Sequence, residues 1–200
     1  MTKPRILLVI TIAIAAIAAA AVAYATSERS PEALVRPRGA QDELPANAGF
    51  LRHLDAGSAR RVASFRLAGG RERAVYLAKT RDGEQLCLWD TDLATGEQGG
   101  GCNPAEAFFG ERSVLVSLGY EGGPSRSSIR DVRIIGLATP AVASVTVELS
   151  GGEERPVKLT RDHGFAWVMP EADVRQGLEP VAVIARDESG RVLDRRPTGF

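Results

Sequence analysis

The segment "SVTVEL", residues 144–149, carries the pattern that decides the fold. A valine or leucine stands at every second position, and a serine, threonine or glutamate stands between them. This alternation is typical of an antiparallel strand with one buried face and one solvated face. Gly151 and Gly152 then lead into "RPVKLT", residues 155–160, so the sequence predicts a β-hairpin at this point.

Segments of the same texture lie on both sides of this hairpin, and Gly69-Gly70, Asp82-Gly83 and Ser189-Gly190 separate some of them. Such dipeptides favour tight hairpins, because these turns need residues with positive φ. We therefore expect a mostly β fold of antiparallel strands. Its first part is a cysteine-paired β module over 50–128, and its second is a β-sandwich-like module of immunoglobulin-like architecture over 129–200.

One short helix is expected among these strands, in "NPAEAFFG" at residues 103–110. Asn103 can cap its first turn and Pro104 is tolerated there, while Gly110 can end the helix.

The N-terminal residues 1–25 read as a signal peptide or a single-pass membrane anchor. Residues 6–25 are almost entirely apolar, and as a helix they would span about 30 Å, the thickness of one hydrocarbon core. Lys3 and Arg5 precede this run, so the chain after it is expected outside the cytoplasm. The "AYA" at 23–25 fits a cleavage site, although the run is longer than a usual signal core. The predicted location is therefore the cell membrane, with the C-terminal part extracytoplasmic and the lipid bilayer as a partner, or the exterior if the signal is cleaved.

Residues 26–49 are expected to form a disordered linker. They carry charges of both signs and three prolines, with few large apolar side chains. Burial of so little apolar surface does not offset the entropy of ordering the chain.

The two cysteines, Cys87 and Cys102, are predicted to form a structural disulfide. An even cysteine count outside the cytoplasm is most simply a disulfide. A redox pair and two free thiols are the alternatives. The redox pair is disfavoured, because there is no Cys-x-x-Cys spacing and no neighbouring cation.

Three acids between the cysteines, Asp90, Asp92 and Glu97, are weak candidates for a calcium site. Two aspartates at positions i and i+2 can present oxygens to calcium, but Ala94 and Thr95 stand where the calcium-loop pattern needs an oxygen ligand and a glycine. The alternative is a solvated turn.

Two further sets of residues are candidates for function. Trp89 and Tyr120 would form a face for glycan or peptide if both were exposed beside a groove. His163 stands next to Asp162 in a predicted turn, and a hydrolase would have to use a histidine such as this one or a pair of carboxylates. The sequence has no phosphate-binding glycine loop, dinucleotide fingerprint or zinc-protease motif, so no cofactor is predicted.

Charge argues against nucleic acid as a partner. The chain has 25 Lys and Arg residues against 25 Asp and Glu residues, and its formal net charge is zero. Nucleic-acid binding normally needs a basic patch or stripe, which this balance does not supply.

The order of these features resembles uncharacterised exported proteins of high-GC Gram-positive bacteria. The resemblance rests on the cysteine-containing hairpin, the glycines before Cys102, and the segments "GLATPAVASVTVEL" and "PVAVIARDESGRVLD". It covers residues 60–196 and implies export and a β-rich fold, but no activity. We expect an extracytoplasmic binding or structural module of the cell envelope, whose partner is an envelope protein or glycan. The alternative is an envelope hydrolase that uses a carboxylate pair or His163.

Overall fold

The computed structural model describes residues 31–45, 52–105, 109–110, 112–122 and 129–199. The predicted signal or anchor over 1–25 lies outside these residues. Within the described ranges, no helix is both long enough and apolar enough to span a bilayer.

Strands dominate the described residues, and all strand pairs are antiparallel, which confirms the predicted mostly β fold. The strands are β1 (Arg60–Arg66), β2 (Glu72–Lys79), β3 (Gln85–Asp92), β4 (Gln98–Pro104), β5 (Val114–Gly122), β6 (Ile129–Ala138), β7 (Ser144–Leu149), β8 (Glu154–Val157), β9 (Gly164–Val168), β10 (Pro180–Arg186) and β11 (Val192–Pro197).

The described strands form three sheets. The first sheet is the meander β1-β2-β3-β4, the middle sheet has the order β5-β6-β9, and the third sheet has the order β11-β10-β7-β8. The predicted Asp82-Gly83 turn joins β2 to β3, and Gly83 adopts a φ of +77° there.

The middle sheet is buried on both faces. Ile134 and Phe165 point toward the third sheet and share a core with Val147 and Val183. The alternate residues of the same strands point to the opposite face and pack on the first sheet. This second core contains Val62, Val75, Leu88, Leu115 and Leu137. Apolar residues at consecutive positions of β6 are explained by this double burial, because each face of the strand enters a different core. The three sheets are therefore stacked as three layers.

A third core covers the outer face of the first sheet. It contains Tyr76 and Trp89, whose rings stack with centroids 5.7 Å apart. Leu54 and Ala59, from the segment before β1, complete this core.

The predicted helix over 103–110 is wrong at its start. Asn103 and Pro104 are the last residues of β4, where they pair with Leu86 and Gln85 of β3. The cross-strand ladder continues past Cys102 and extends the chain where local capping signals favoured a helix. Residues 106–108 lie outside the described residues. The two described α-helices are α1 (Glu32–Val35) and α2 (Glu171–Arg175).

The linker prediction is wrong for residues 31–45, which fold against the first sheet. Ala33 of α1 is fully buried and belongs to the core between the first and middle sheets. Arg36 donates two hydrogen bonds to Asp42, at 2.6 and 2.7 Å, and a third to Asp162 at 2.7 Å. Asp42 has no exposed surface and also accepts the backbone N–H of Arg61 at 2.7 Å. The hydrogen bonds around Arg36 and Asp42 therefore act together with the burial of Ala33 to fix this segment.

The predicted division of the chain at residue 128 separates two strands that pair with each other. β5 and β6 form an antiparallel ladder from Val114↔Ala138 to Gly122↔Ile129, with one register shift between Glu121 and Gly122. β5 therefore belongs to the middle sheet, and the described residues belong to one compact unit that begins at Pro31.

Asp42 should make the folded state sensitive to acid in a defined window. Burial alone would raise the pKa of this carboxyl, but hydrogen bonds from Arg36, Gly39 and Arg61 outweigh burial and lower the pKa from 3.8 to about 2. The stabilisation is present above pH 3.8 and is lost as the pH falls through 2. The shift sets an upper limit of about 2.4 kcal/mol, and the partial exposure of Arg36 reduces the expected gain to about 1–2 kcal/mol.

We expect the urea-derived unfolding free energy of the wild type to fall more steeply between pH 4 and pH 2 than that of Asp42→Asn. The matched control is Asp55→Asn, which alters an exposed aspartate of a nearby turn. An Asp42→Asn curve parallel to the wild-type curve in this window would contradict the assignment.

Candidate functional site

Three loops at one end of the two C-terminal sheets border an open groove of about 740 Å³. The loops connect β6 to β7, β8 to β9, and β10 to β11. Ligand pockets commonly have volumes of about 300–1,000 Å³. The groove is lined by Pro140, Ala141, Val142, Ala143, Leu159, Thr160, His163, Asp187, Glu188 and Ser189.

Hydrogen bonds hold the β10–β11 loop in shape. The Asp187 carboxylate accepts the backbone N–H groups of Ser189 and Arg191, the Ser189 hydroxyl at 2.6 Å, and Nε of Arg191 at 3.0 Å. The Ser189 hydroxyl and the other donors lower the pKa of Asp187, although burial opposes them. Asp187 is thus ionised at neutral pH and mainly shapes the loop.

The β8–β9 loop is anchored by Thr160. Its hydroxyl donates to the backbone oxygen of Val62 at 2.7 Å and accepts the N–H of Gly164 at 3.1 Å. An added Cβ on Gly164 would lie 2.4 Å from the same Val62 oxygen, so a side chain cannot fit where β9 passes β1.

His163 lies between α1 and the groove, and its φ is +55°. Nε2 is 3.6 Å from Oε2 of Glu32, while Nδ1 is buried and has no hydrogen-bond partner among the described residues. The ring therefore has one polar atom whose hydrogen bond must come from something the described chain does not supply.

The structure places His163 beside the acidic and hydroxyl groups that sequence reasoning had not connected with it. Asp187, Glu188 and Ser189 follow 24 or more positions later and looked only like part of a hairpin turn. The carboxylate of Asp187 bonds Ser189 and Arg191, and the described contact of His163 Nε2 is with Glu32. The groove thus has the residue types of a hydrolytic triad, but Asp187 is engaged by its own loop.

A second polar site lies between the first and middle sheets, which we call the ion-pair cluster: Arg71, Arg73, Asp90, Asp92, Glu121 and Arg133. Arg73 has no exposed surface, and its Nε donates to Asp90. Nε of Arg133 reaches the same Asp90 oxygen at 3.0 Å. Asp90 is 2% exposed. Two guanidinium groups from different sheets therefore converge on one buried carboxylate.

Glu121 of β5 extends the cluster toward solvent. Its carboxylate accepts from Arg71 and lies 3.5 Å from Arg73 and 3.7 Å from Arg133. Two glycines make room for the Arg133 guanidinium: an added Cβ would lie 3.1 Å from it at Gly99 and 3.0 Å at Gly119. Gly119 is the direct cross-strand partner of Arg133 in the middle sheet, whereas Gly99 approaches the same side chain from β4 of the first sheet.

The three calcium candidates have different roles from the predicted one. Asp90 and Asp92 are buried in the ion-pair cluster and not in a solvated turn, because residues i and i+2 of β3 face the middle sheet. Asp92 also accepts the backbone N–H groups of Ala94 and Thr95. The hydrogen bond from Thr95 is the largest cause of a lowered pKa of Asp92, and burial opposes it. Glu97 is exposed, and its backbone oxygen accepts from Arg73. Within the described ranges, no group of three or more His, Cys, Asp or Glu residues is arranged to hold a metal ion.

The proposed aromatic face of Trp89 and Tyr120 is not assembled. Trp89 is 2% exposed in the core on the outer face of the first sheet, whereas Tyr120 is 60% exposed on β5 of the middle sheet. The tryptophan follows the alternation of β3 into a core, so its ring is unavailable to a ligand.

The predicted disulfide between Cys87 and Cys102 is confirmed. The two residues are direct cross-strand partners on β3 and β4. At the neighbouring pair Trp89↔Gly100, a Cβ on Gly100 would lie 2.4 Å from the backbone oxygen of Leu88. Gly100 is thus required by the close approach of β4 to β3.

Comparisons of the chain with protein-family models, with curated proteins and with solved structures find no match.

Proposed function

We propose that this chain is an exported protein of the cell envelope that binds an envelope component through the loop groove. Two features support export: the apolar run over 6–25, and the Cys87–Cys102 disulfide, a bond that persists in oxidising compartments. The finer location follows from the same premise: the folded part lies outside the cytoplasm, attached to the membrane or released if the signal is cleaved.

We also infer that strands β5–β11 form an immunoglobulin-like module. If the strands are lettered A to G in chain order, the sheets are A-B-E and G-F-C-D. The constant-type immunoglobulin sandwich has A-B-E-D and C-F-G, so the fourth strand pairs here with the third instead of the fifth. The B–C and F–G connections, which carry antigen-binding loops in antibody variable domains, correspond to the loops at 139–143 and 187–191.

The observation that carries the binding role is the groove itself. Three loops meet around it: one joins the β10–β11 hairpin, and the other two connect the middle sheet with the third sheet. The strands behind these loops hold their ends in place. Binding residues are concentrated on loops held by a rigid scaffold. The contacts of Asp187 and His163 support binding over hydrolysis, because the general base of a triad needs a hydrogen-bonded carboxylate to orient it. The proposed ligand is a glycan or a protein of the envelope.

Location can be tested by fractionating cells that produce the full-length chain and alkylating thiols with and without prior reduction. We expect the protein in the membrane or extracellular fraction, with both cysteines labelled only after reduction. Cytosolic protein with two readily alkylated thiols would overturn the proposal.

Filling the groove should weaken envelope binding. Ala141 is exposed at the rim, and Ala141→Trp places a large ring where a ligand would lie. We expect retention of the full-length protein on isolated envelope fractions of a high-GC Gram-positive bacterium to fall about tenfold, the change that about 1.4 kcal/mol of lost contact produces. The matched control, Ala172→Trp, alters an exposed alanine of α2 at a site outside the groove. Equal retention of the two variants would contradict a role for the groove.

A further inference from the structure

We propose that the groove recognises a primary ammonium group on an aliphatic chain, as in a lysine side chain of an extended peptide. This inference rests on the proposed function and names the chemistry of its ligand.

The first argument is the charge of the lining. Asp187 and Glu188 both face the groove, and none of the described lining residues is a lysine or arginine. Arg191 bonds Asp187 and offsets part of its charge, so Glu188 is the main source of negative potential. Glu188 is exposed and has no ion-pair partner among the described residues. A cationic ligand would supply the missing counter-charge.

The second argument is the unfilled hydrogen-bonding capacity of His163. A proton on Nε2 directs it toward the Glu32 carboxylate, and Nδ1 is then a buried acceptor without a donor. An ammonium group has three N–H donors and no acceptor. In the groove it can donate to the Glu188 carboxylate, whereas an anionic ligand would place a like charge beside it. Nδ1 of His163 is buried, so the ammonium group can donate to it only if the imidazole ring turns toward the groove.

The third argument is the apolar part of the groove. Pro140, Val142 and Leu159 line it together with two alanines. The methylene stem of a lysine packs on such surface while its charged head reaches polar groups at the rim. A compact inorganic cation would leave this surface without a partner.

The test is a calorimetric titration of the full-length protein with tetralysine, and with tetralysine acetylated on every side chain, at about 20 mM and about 300 mM salt. We expect tetralysine to bind at least tenfold more tightly than the acetylated peptide at low salt, and this preference to shrink at high salt because exposed charges are screened. Equal affinity for the two peptides, or a preference unaffected by salt, would overturn the inference.

Substitutions in the groove test whether tetralysine binds there. Glu188→Gln should weaken tetralysine binding about three- to tenfold, and His163→Phe should weaken it while leaving the salt dependence in place. Glu171→Gln is the matched control, because Glu171 is an exposed glutamate of α2, away from the groove. If Glu171→Gln weakens binding as much as Glu188→Gln, tetralysine is held by general surface charge and the inference fails.

Failure of this inference is distinguishable from failure of the proposed function. If Ala141→Trp reduces envelope retention while tetralysine neither binds nor competes, the groove binds a ligand of another chemistry and the amine inference is overturned. If tetralysine binding depends on Glu188 but Ala141→Trp leaves envelope retention unchanged, the amine chemistry is supported and the proposed envelope role fails.

Discussion

Arg73→Met should lower the free energy of unfolding by about 3 kcal/mol or more. Removing one partner of a buried ion pair costs about 3–5 kcal/mol, because the remaining charge stays buried without compensation. Arg73 has no exposed surface and contacts Asp90, Glu121 and the backbone oxygen of Glu97. Methionine fills much of the same volume, so the loss reports the charge and its hydrogen bonds more than a cavity. Arg133 still contacts Asp90 at 3.0 Å, which favours the lower end of the range.

Urea denaturation of the full-length chain at pH 7, followed by tryptophan fluorescence, measures this loss. The matched control is Arg195→Met, which removes a 2.7 Å ion pair with Glu148 from the exposed edge of the third sheet. Exposed pairs contribute about 0–1 kcal/mol, so the control should barely move the midpoint. Similar losses for Arg73→Met and Arg195→Met would show that the cluster is not a buried ionic network.

Breaking the disulfide is expected to have the second large effect. The cysteines are 15 residues apart, and closing a loop of about 15 residues contributes about 3 kcal/mol in the chain-entropy model. The Cys87→Ala, Cys102→Ala double variant should therefore melt about 6–12 °C below the wild type, taking 2–4 °C per kcal/mol for a domain of this size. Circular dichroism during heating measures the shift.

A reductant distinguishes the effect of losing the disulfide bond from the effect of replacing the cysteine side chains. Reduction should destabilise the wild type by a similar amount and leave the double variant unchanged. If the double variant has the same melting temperature as the wild type in oxidising buffer, the β3–β4 ladder, and not the disulfide, holds the glycine-rich strand β4 in place.

Most strands were predictable from sequence because their signal is local, whereas the glycine-rich β4 was not expected as a strand. "SVTVEL" forms β7, Asp82-Gly83 forms the β2–β3 turn, and the cysteines meet across β3 and β4. The helix predicted from Asn103 was wrong for a physical reason: strand pairing extended the ladder through two residues whose local signals favoured a cap. Local propensity is a weak prior where tertiary contacts compete with it.

The sites were harder to predict because their parts are distant in the chain. Asp90 looked like part of a polar turn until β6 brought Arg133 to it. Residues 31–45 looked like a linker because the hydrogen bonds of Arg36 with Asp42 and Asp162, which add to the burial of a few small apolar side chains, are not visible in the local sequence. His163 was singled out for its chemistry alone, and its acidic neighbours in the groove became visible only when the loops of the middle and third sheets were placed side by side.

The doubly covered middle sheet has a consequence for how such a chain can be divided. A recombination event or protease cut between β5 and β6 would strip apolar surface from two cores at once, so neither fragment would keep a complete interior. Insertions should therefore be tolerated at the hairpin tips or at the ends of the chain. Neither of the two fragments, before or after such a cut, should fold independently.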